Sequence, residues 1–473
     1  MHEECGVFGV WSPIKRAVPR EVYLGLYALQ HRGQESCGIA VSSDGVFHHH
    51  KGDGLVGEVF DRTRLDRLGE GNIAVGHVRY STTGGKNHNN IQPIVISHMK
   101  GNLALCHNGN LVNARSLRSK HELSGGIFHG TADTETIVYT IVSERLKVSA
   151  TEEAVHRTML QLQGAYSCVL MTATKLIAFR DPNGFRPLCF GQTPDGAYVV
   201  SSESCALDAV GAKLVRDIDP GEILVFGKEG VVSDRRLCGG SRSLCVFEYI
   251  YFARPDSVIE GAPVHLARLR AGRFLAQEDP VEADVVVGVP DSGIDAALGY
   301  SRESGIPYGV GFLKNKYIGR SFIAPSQDMR ETAVKIKLNV IAETVRDKRV
   351  VLIDDSIVRG TTSERIVRLL REAGAKEVHM RVSSPPFRYP CFFGTDVDSR
   401  ENLIACRLPS VKEIAEEIGA DSLAYLSVEA AHRLAGDHAC PVCDGCFTGH
   451  YPVEIPEDQG KSRFEQPIVD SEG

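Results

Sequence analysis

Asp284-Val-Val-Val-Gly-Val-Pro290 and Arg349-Val-Val-Leu-Ile-Asp354 are apolar runs that each end in a polar loop. The second leads into a helical pattern from Ser363 to about Gly374, after which residues 378–382 resume a strand. Apolar runs joined by crossover helices predict a parallel sheet covered on both faces, with ligands beyond the carboxyl ends of its strands. This α/β pattern starts near residue 247. Residues 5–230 read differently, as short β-rich segments with two helices. Residues 5–10 and 72–77 read as buried strands; residues 21–30 carry Val22, Leu26 and Leu29 at helical spacing; residues 134–146 form the second helical pattern. The segment 227–242, rich in Gly, Ser and charge, is the expected linker. The expected domains are 5–230 and 231–455, with a polar, mobile tail over 456–473.

A length of 473 residues accommodates two or three domains. The net charge of −7 gives no sign of a nucleic-acid surface, so any phosphate ligand needs locally gathered basic residues. No stretch approaches the ~18 apolar residues of a membrane span, and residues 1–30 lack the layout of a secretory signal. Thirteen cysteines in such a chain predict reduced thiols, a metal centre or catalysis, and hence a cytoplasmic protein, rather than a disulfide framework.

At the end of the 349–354 run, Asp354 and Asp355 stand side by side, Gly360 allows a turn, and Thr361, Thr362 and Ser363 open a helix. A helix N-terminus with hydroxyls is an anion site, although Gly-Thr-Thr-Ser alone is ordinary capping. Two carboxylates before a phosphate cradle make sense where the ligand also presents ribose hydroxyls or Mg²⁺. The Gly-Lys-Ser/Thr ending of a Walker A loop is absent. The stretch resembles the 5-phosphoribosyl-1-pyrophosphate (PRPP) signature of type I phosphoribosyltransferases. The resemblance implies that Asp354 and Asp355 meet ribose and metal, and that Ser356, Ile357, Val358, Arg359, Gly360, Thr361 and Thr362 hold the 5-phosphate. It also implies a pyrophosphate loop at Pro290-Asp291-Ser292-Gly293, with Ser292 near Mg²⁺, and a mobile basic loop from Lys314 through Arg330 to Lys337 that closes over PRPP.

Near the other end, Cys5 follows the short acidic leader Met1–Glu4. With residues 1–4 removed, one residue would carry a nucleophilic thiol and an α-amine titrating near ~7.7–8.0 as its base. By position alone it also reads as a small buried strand residue. Behind it come Gln30-His-Arg32-Gly-Gln-Glu35, Gly76-His-Val-Arg79-Tyr-Ser-Thr82, Cys106-His-Asn108-Gly109-Asn110 and Thr131-Ala-Asp133. Each is weak alone; Asn108-Gly109, for instance, is the pattern of a type I′ hairpin turn. In this order they resemble the N-terminal-nucleophile (Ntn) glutaminase domain of class II amidotransferases, which implies an αββα sandwich. By that resemblance residues 1–4 are a propeptide, Cys5 forms a γ-glutamyl thioester, and Asn108 with the Gly109 N–H makes the oxyanion hole. Arg79, Thr82 and Asp133 read glutamine, and Arg32 lies near the site.

A glutaminase half joined to a PRPP half resembles the amidophosphoribosyltransferase family from Cys5 to about Ile455. The implied reaction is PRPP plus L-glutamine plus water giving 5-phosphoribosylamine, L-glutamate and diphosphate, the first committed step of purine biosynthesis. Ammonia would pass between the sites, with one Mg²⁺ per subunit, purine nucleotide inhibitors, and a homotetramer or homodimer. Cys443-Asp-Gly-Cys446 is a CxxC pair preceded by Cys440. Together with Cys245 and Cys391 it resembles the four-thiolate set of a [4Fe–4S] cluster in one branch of this family, one cluster per subunit; tetrahedral zinc would take the same ligands, and Cys440 could replace one. Cys106 lies next to the oxyanion residues. Two competing readings remain: another enzyme with the same glutaminase half, which would lack the Asp354-Asp355 loop, and a nucleotide-sensing regulator without turnover, which would need no glutaminase residues.

Overall fold

In the computed structural model, which describes residues 5–80, 87–315, 338–395, 397, 399–438 and 440–456, the strand Gly6–Arg16 sets the layering of the first half. Its side chains alternate between two cores: Val7 and Trp11 enter one core, while Phe8 and Val10 enter another with Val22 and Leu26 of the helix Val18–Ala28. Gly25 of that helix lets it close on the strand, since a Cβ there would lie 2.4 Å from the Phe8 ring. The helix begins three residues earlier than its apolar spacing suggests because Pro19, with its fixed φ, suits a first turn.

Seven strands form the first sheet, in the order Lys213–Asp217, Cys189–Gln192, Tyr198–Ser201, Gly6–Arg16, Gly71–Arg79, Ser36–Ser43, Val46–Asp53. Six form the second: Gly230–Asp234, Ile223–Gly227, Leu176–Arg180, Gly164–Met171, Gly101–Leu111, Ile94–His98. Val7, Val75, Ala104, Cys106 and Val169 pack between the sheets, and the helices Asp133–Lys147 and Thr151–Met159 cover the outer face of the second. Helix, sheet, sheet and helix thus follow one another as an αββα sandwich. The expected linker is corrected here. Ile223–Gly227 and Gly230–Asp234 are paired as a hairpin, so part of the Gly-rich segment is turn and edge strand rather than connection.

The second half contains the parallel sheet Val285–Gly288, Arg349–Asp354, Glu377–Val382, Ser422–Tyr425. Val286, Val351 and Ile353 face the helices Val264–Glu278 and Gly293–Ser304, while Val285, Val287, Val350 and Leu352 face Thr361–Glu372. Burial on both faces accounts for the unbroken apolar runs. A two-residue parallel bridge pairs Leu244–Cys245 with Val442–Cys443. Among the described residues no helix is long and apolar enough to cross a membrane. The expected leader (1–4), the 316–337 part of the basic loop with Lys337, Thr82, and residues 457–473 of the tail lie outside the described residues.

Candidate active site

Cys5 immediately precedes the first strand and is buried; its thiol donates to the Tyr80 carbonyl at 3.4 Å. Tyr80 follows Arg79 at the end of the neighbouring strand, where Arg79 is itself buried. Asn108 and Gly109 are not a hairpin turn. They lie inside the strand Gly101–Leu111, opposite Ser167 and Tyr166, so tertiary pairing overrides the type I′ turn that the dipeptide alone favours. Gly109 has φ +141°, and a Cβ would stand 2.1 Å from the Ala165 carbonyl oxygen, so only glycine fits. The Asn108 side chain is buried, and among the described residues neither its Nδ2 nor its Oδ1 has a hydrogen-bond partner. A buried amide left unsatisfied costs about 1–3 kcal/mol, which marks it as a site for an incoming polar group.

Asp133 opens the helix Asp133–Lys147, where the helix dipole favours its charge. Its Oδ2 accepts from the Leu111 N–H at 2.9 Å, and its Oδ1 lies 3.5 Å from His107 Nδ1. Burial raises its pKa, but His107 and the Leu111 N–H outweigh burial and hold the carboxyl below the ordinary range. His107 ties this corner to the first sheet, because its carbonyl pairs with His77 Nε2 at 3.0 Å.

Arg32 lies against the Cys5 backbone, with its guanidinium committed to protein partners. Its guanidinium is fully buried and holds three other groups. Nε donates to the Cys5 carbonyl (3.0 Å), Nη1 to Glu203 (2.7 Å), and Nη1 and Nη2 form a fork on Glu248 (2.9 and 2.8 Å). Glu248 belongs to the second half, so Arg32 clasps the two halves while fixing the Cys5 backbone. Burial raises the pKa of Glu203, yet His31 and Arg32 outweigh it and hold the carboxyl far below the usual range. Glu203 also accepts from Ser257 Oγ (2.7 Å) and the Arg254 N–H (2.9 Å) of the second half. Nothing local in the sequence marks Glu203 or Glu248. Only a buried arginine, visible once folded, reveals them.

In the second half, Asp354 ends its strand and Asp355 begins the loop, both buried. The Asp355 N–H donates to Asp354 Oδ1 at 2.9 Å, and Ser356 Oγ donates to the Asp355 carboxylate. Ser292 Oγ donates to Asp355 Oδ2 at 2.5 Å, which brings the two sequence-predicted loops together. Burial, and after it the Asp355 charge, pushes the Asp354 carboxyl well up; a divalent cation would reverse that effect, so these oxygens fit a hard metal. Gly360, at φ +91°, caps the helix Thr361–Glu372, leaving Thr361 and Thr362 exposed at its N-terminus. From behind, the Val358 carbonyl accepts from the Ile404 N–H (2.8 Å) and the Arg359 carbonyl from Arg407 (3.2 Å). The Ile357 side chain is core, so it serves the loop through its backbone.

Cys245, Cys391, Cys443 and Cys446 line one enclosed cavity walled by aromatic rings and by Arg186; Cys440 is not among its lining residues. Burial is the largest influence raising the Cys443 and Cys446 thiols, followed by the neighbouring cysteines, so ionising these two calls for a cation beside them. Among the described residues no three His, Cys, Asp or Glu side chains are placed to hold a single metal ion; the thiols surround a space rather than meet at a point.

Residues 77–209 match the family described as glutamine amidotransferase domain, and residues 265–384 the family described as phosphoribosyl transferase domain. The amidophosphoribosyltransferase of Bacillus subtilis (strain 168) is 50% identical over 474 residues, spanning 99% of this chain and 98% of that protein. The amidophosphoribosyltransferase of Archaeoglobus fulgidus is 48% identical, with 96% of this chain and 99% of that protein covered. Among solved structures, the B. subtilis glutamine PRPP amidotransferase complexed with ADP and GMP superposes with a TM-score of 0.89 at 49% identity, covering 96% of this chain and 99% of that one. Another, described as the structure of the allosteric regulatory enzyme of purine biosynthesis, gives 0.91 at 48% identity, covering 98% and 100%.

Proposed function

The chain belongs to the amidophosphoribosyltransferase family, and from that premise we propose which of its residues carry each step. The enzyme converts PRPP, L-glutamine and water to 5-phosphoribosylamine, L-glutamate and diphosphate in purine biosynthesis. With residues 1–4 removed, the Cys5 α-amine takes the thiol proton and the sulfur attacks the glutamine amide carbon. The resulting oxyanion is met by Asn108 Nδ2 and the Gly109 N–H, a reading supported by the unpartnered, buried Asn108 amide. Collapse expels ammonia and leaves a γ-glutamyl thioester, which water cleaves to glutamate and free thiol. Arg79 pairs with the substrate carboxylate and Asp133, held ionised, with its ammonium; Thr82 completes this subsite.

Ammonia then displaces diphosphate at C1 of PRPP. Residues 356–362 hold the 5-phosphate, Lys337 is assigned to the same substrate, and Ser292, Asp354 and Asp355 would hold Mg²⁺, which would neutralise diphosphate. An enclosed route keeps ammonia unprotonated and excludes water from the sugar carbon. The four thiols Cys245, Cys391, Cys443 and Cys446 would hold a structural [4Fe–4S] cluster, supported by an all-sulfur donor set around an apolar cavity. Purine nucleotides inhibit, as suggested by the relative complexed with ADP and GMP; the enzyme is a cytoplasmic homo-oligomer.

The observation that carries the coupling of the two chemistries is the Cys5–Arg32–Glu248 clasp, which fixes the nucleophile to the second half. Cys5→Ser tests the assignment. Glutamine-dependent synthesis disappears while ammonia-dependent synthesis persists; equal loss of both would remove Cys5 from the nucleophile's role. Mass spectrometry of the mature N-terminus tests whether Cys5 is exposed as the first residue.

A further inference from the structure

The segment Cys391–Thr395 belongs to the second half, yet side chains of the first half hold it. Asn110 Nδ2 donates to the Phe392 carbonyl at 2.8 Å. Arg186 donates to the Phe393 carbonyl through Nε (3.1 Å) and Nη2 (2.8 Å), and through Nη2 to Thr395 Oγ1 at 3.2 Å. The Phe393 ring stacks on Phe185 at 4.1 Å between centroids, and a Cβ on Gly394 would lie 3.3 Å from the Gly109 carbonyl carbon. This short strap therefore lies directly against the strand that carries Asn108 and Gly109. Its first residue, Cys391, lines the four-thiol cavity, and so does Arg186.

A second line leaves Arg186. Its Nη1 is 3.5 Å from Glu248 Oε1, Glu248 holds Arg32 in a fork, and Arg32 Nε holds the Cys5 carbonyl. Arg186, Glu248 and Arg32 are fully buried, so neither solvent nor salt loosens the series. Close-packed interiors transmit such displacements instead of absorbing them.

We infer that Arg186 and Asn110 are positioning residues for glutamine hydrolysis, through which the Cys391–Thr395 strap couples the four-thiol cavity to Cys5 and to the Asn108–Gly109 strand. The inference rests on the reading of Cys5 as nucleophile and of the cavity as a metal-cluster site. A shift of Cys391 on loss of the cluster reaches the nucleophile's backbone by one route and the oxyanion donors by the other.

The test uses the full chain as purified and its cluster-stripped form, and follows the rate at which a diazoketone analogue of glutamine alkylates Cys5. Arg186→Lys keeps the charge but loses the paired donors to the Phe393 carbonyl; Asn110→Ser interrupts the other route and decides the matter if the first variant does not fold. Each variant is expected to slow alkylation and glutamine hydrolysis by about 10- to 100-fold, with ammonia-dependent synthesis within about twofold and visible absorbance unchanged. Stripping the cluster should slow alkylation in the wild type but add little in Arg186→Lys, since both act on one series. Wild-type alkylation rates in both variants overturn the inference, as does full additivity with stripping or an equal loss of ammonia-dependent synthesis. If the analogue does not label wild-type Cys5 at all, the nucleophile reading falls and the inference with it.

Discussion

Asn108 occupies the core with both polar side-chain atoms unpartnered among the described residues, a state natural proteins keep at few positions. Replacing it removes an unsatisfied amide together with the proposed oxyanion donor, so stability and activity should move apart. Asn108→Ala is expected to unfold at an unchanged or higher temperature while glutamine-dependent kcat falls by about 10²–10³. Calorimetry and steady-state kinetics check the two halves of that statement, and a parallel fall in stability would show that the side chain is structural. Cys5, Asp354 and Asp355 were legible as candidates because their chemistry is unusual where they stand in the sequence. Arg32 was legible as a residue but not in its role, because Glu248, the partner that fixes it, lies 216 residues away.

At the scale of elements, the strand Gly71–Arg79 is joined to the facing sheet where His77 meets the His107 carbonyl. Burial is the main reason that the His77 pKa is lowered to about 3. The unfolded chain protonates the same ring near 6.5, so between these values the unfolded state binds the extra proton. The stabilisation is full above about 6.5 and is lost as pH falls towards 3. His77→Gln should therefore flatten the acid limb of stability by at most about 1.4 kcal/mol per pH unit across that window, as denaturant titrations at stepped pH would show. Elements defined by burial were the readable ones: residues 349–354 form the strand suggested by their apolar run. Asn108-Gly109 was misleading because its local signal is that of a turn, whereas pairing with Ser167 and Tyr166 keeps it extended. The Gly-rich stretch near 230 looked like a linker because edge strands and linkers share polar composition.

For the whole molecule, the buried clasp of Arg32 with Glu203 and Glu248 makes the two halves interdependent. Removing one partner of a buried pair leaves an uncompensated charge, so Glu248→Ala should cost about 3–5 kcal/mol. Calorimetry should then resolve separate transitions for the halves, and glutamine hydrolysis should lose its coupling to PRPP. The purified protein should be brown, with visible iron–sulfur absorbance, and removal of the cluster should lower its melting temperature. A colourless, fully active zinc protein would falsify the cluster assignment. The sequence marks four cysteines as one set, but the cavity they line depends on bringing Cys245, Cys391 and the 443–446 segment together from distant parts of the chain. The short parallel bridge between Leu244–Cys245 and Val442–Cys443 pins the neck of the second half to its far end. A tug on the ends of that half would load the bridge in shear, so its few hydrogen bonds must rupture together rather than unzip singly. Clipping the polypeptide just before Val442 would untie that knot and leave the sheet to bear tension alone.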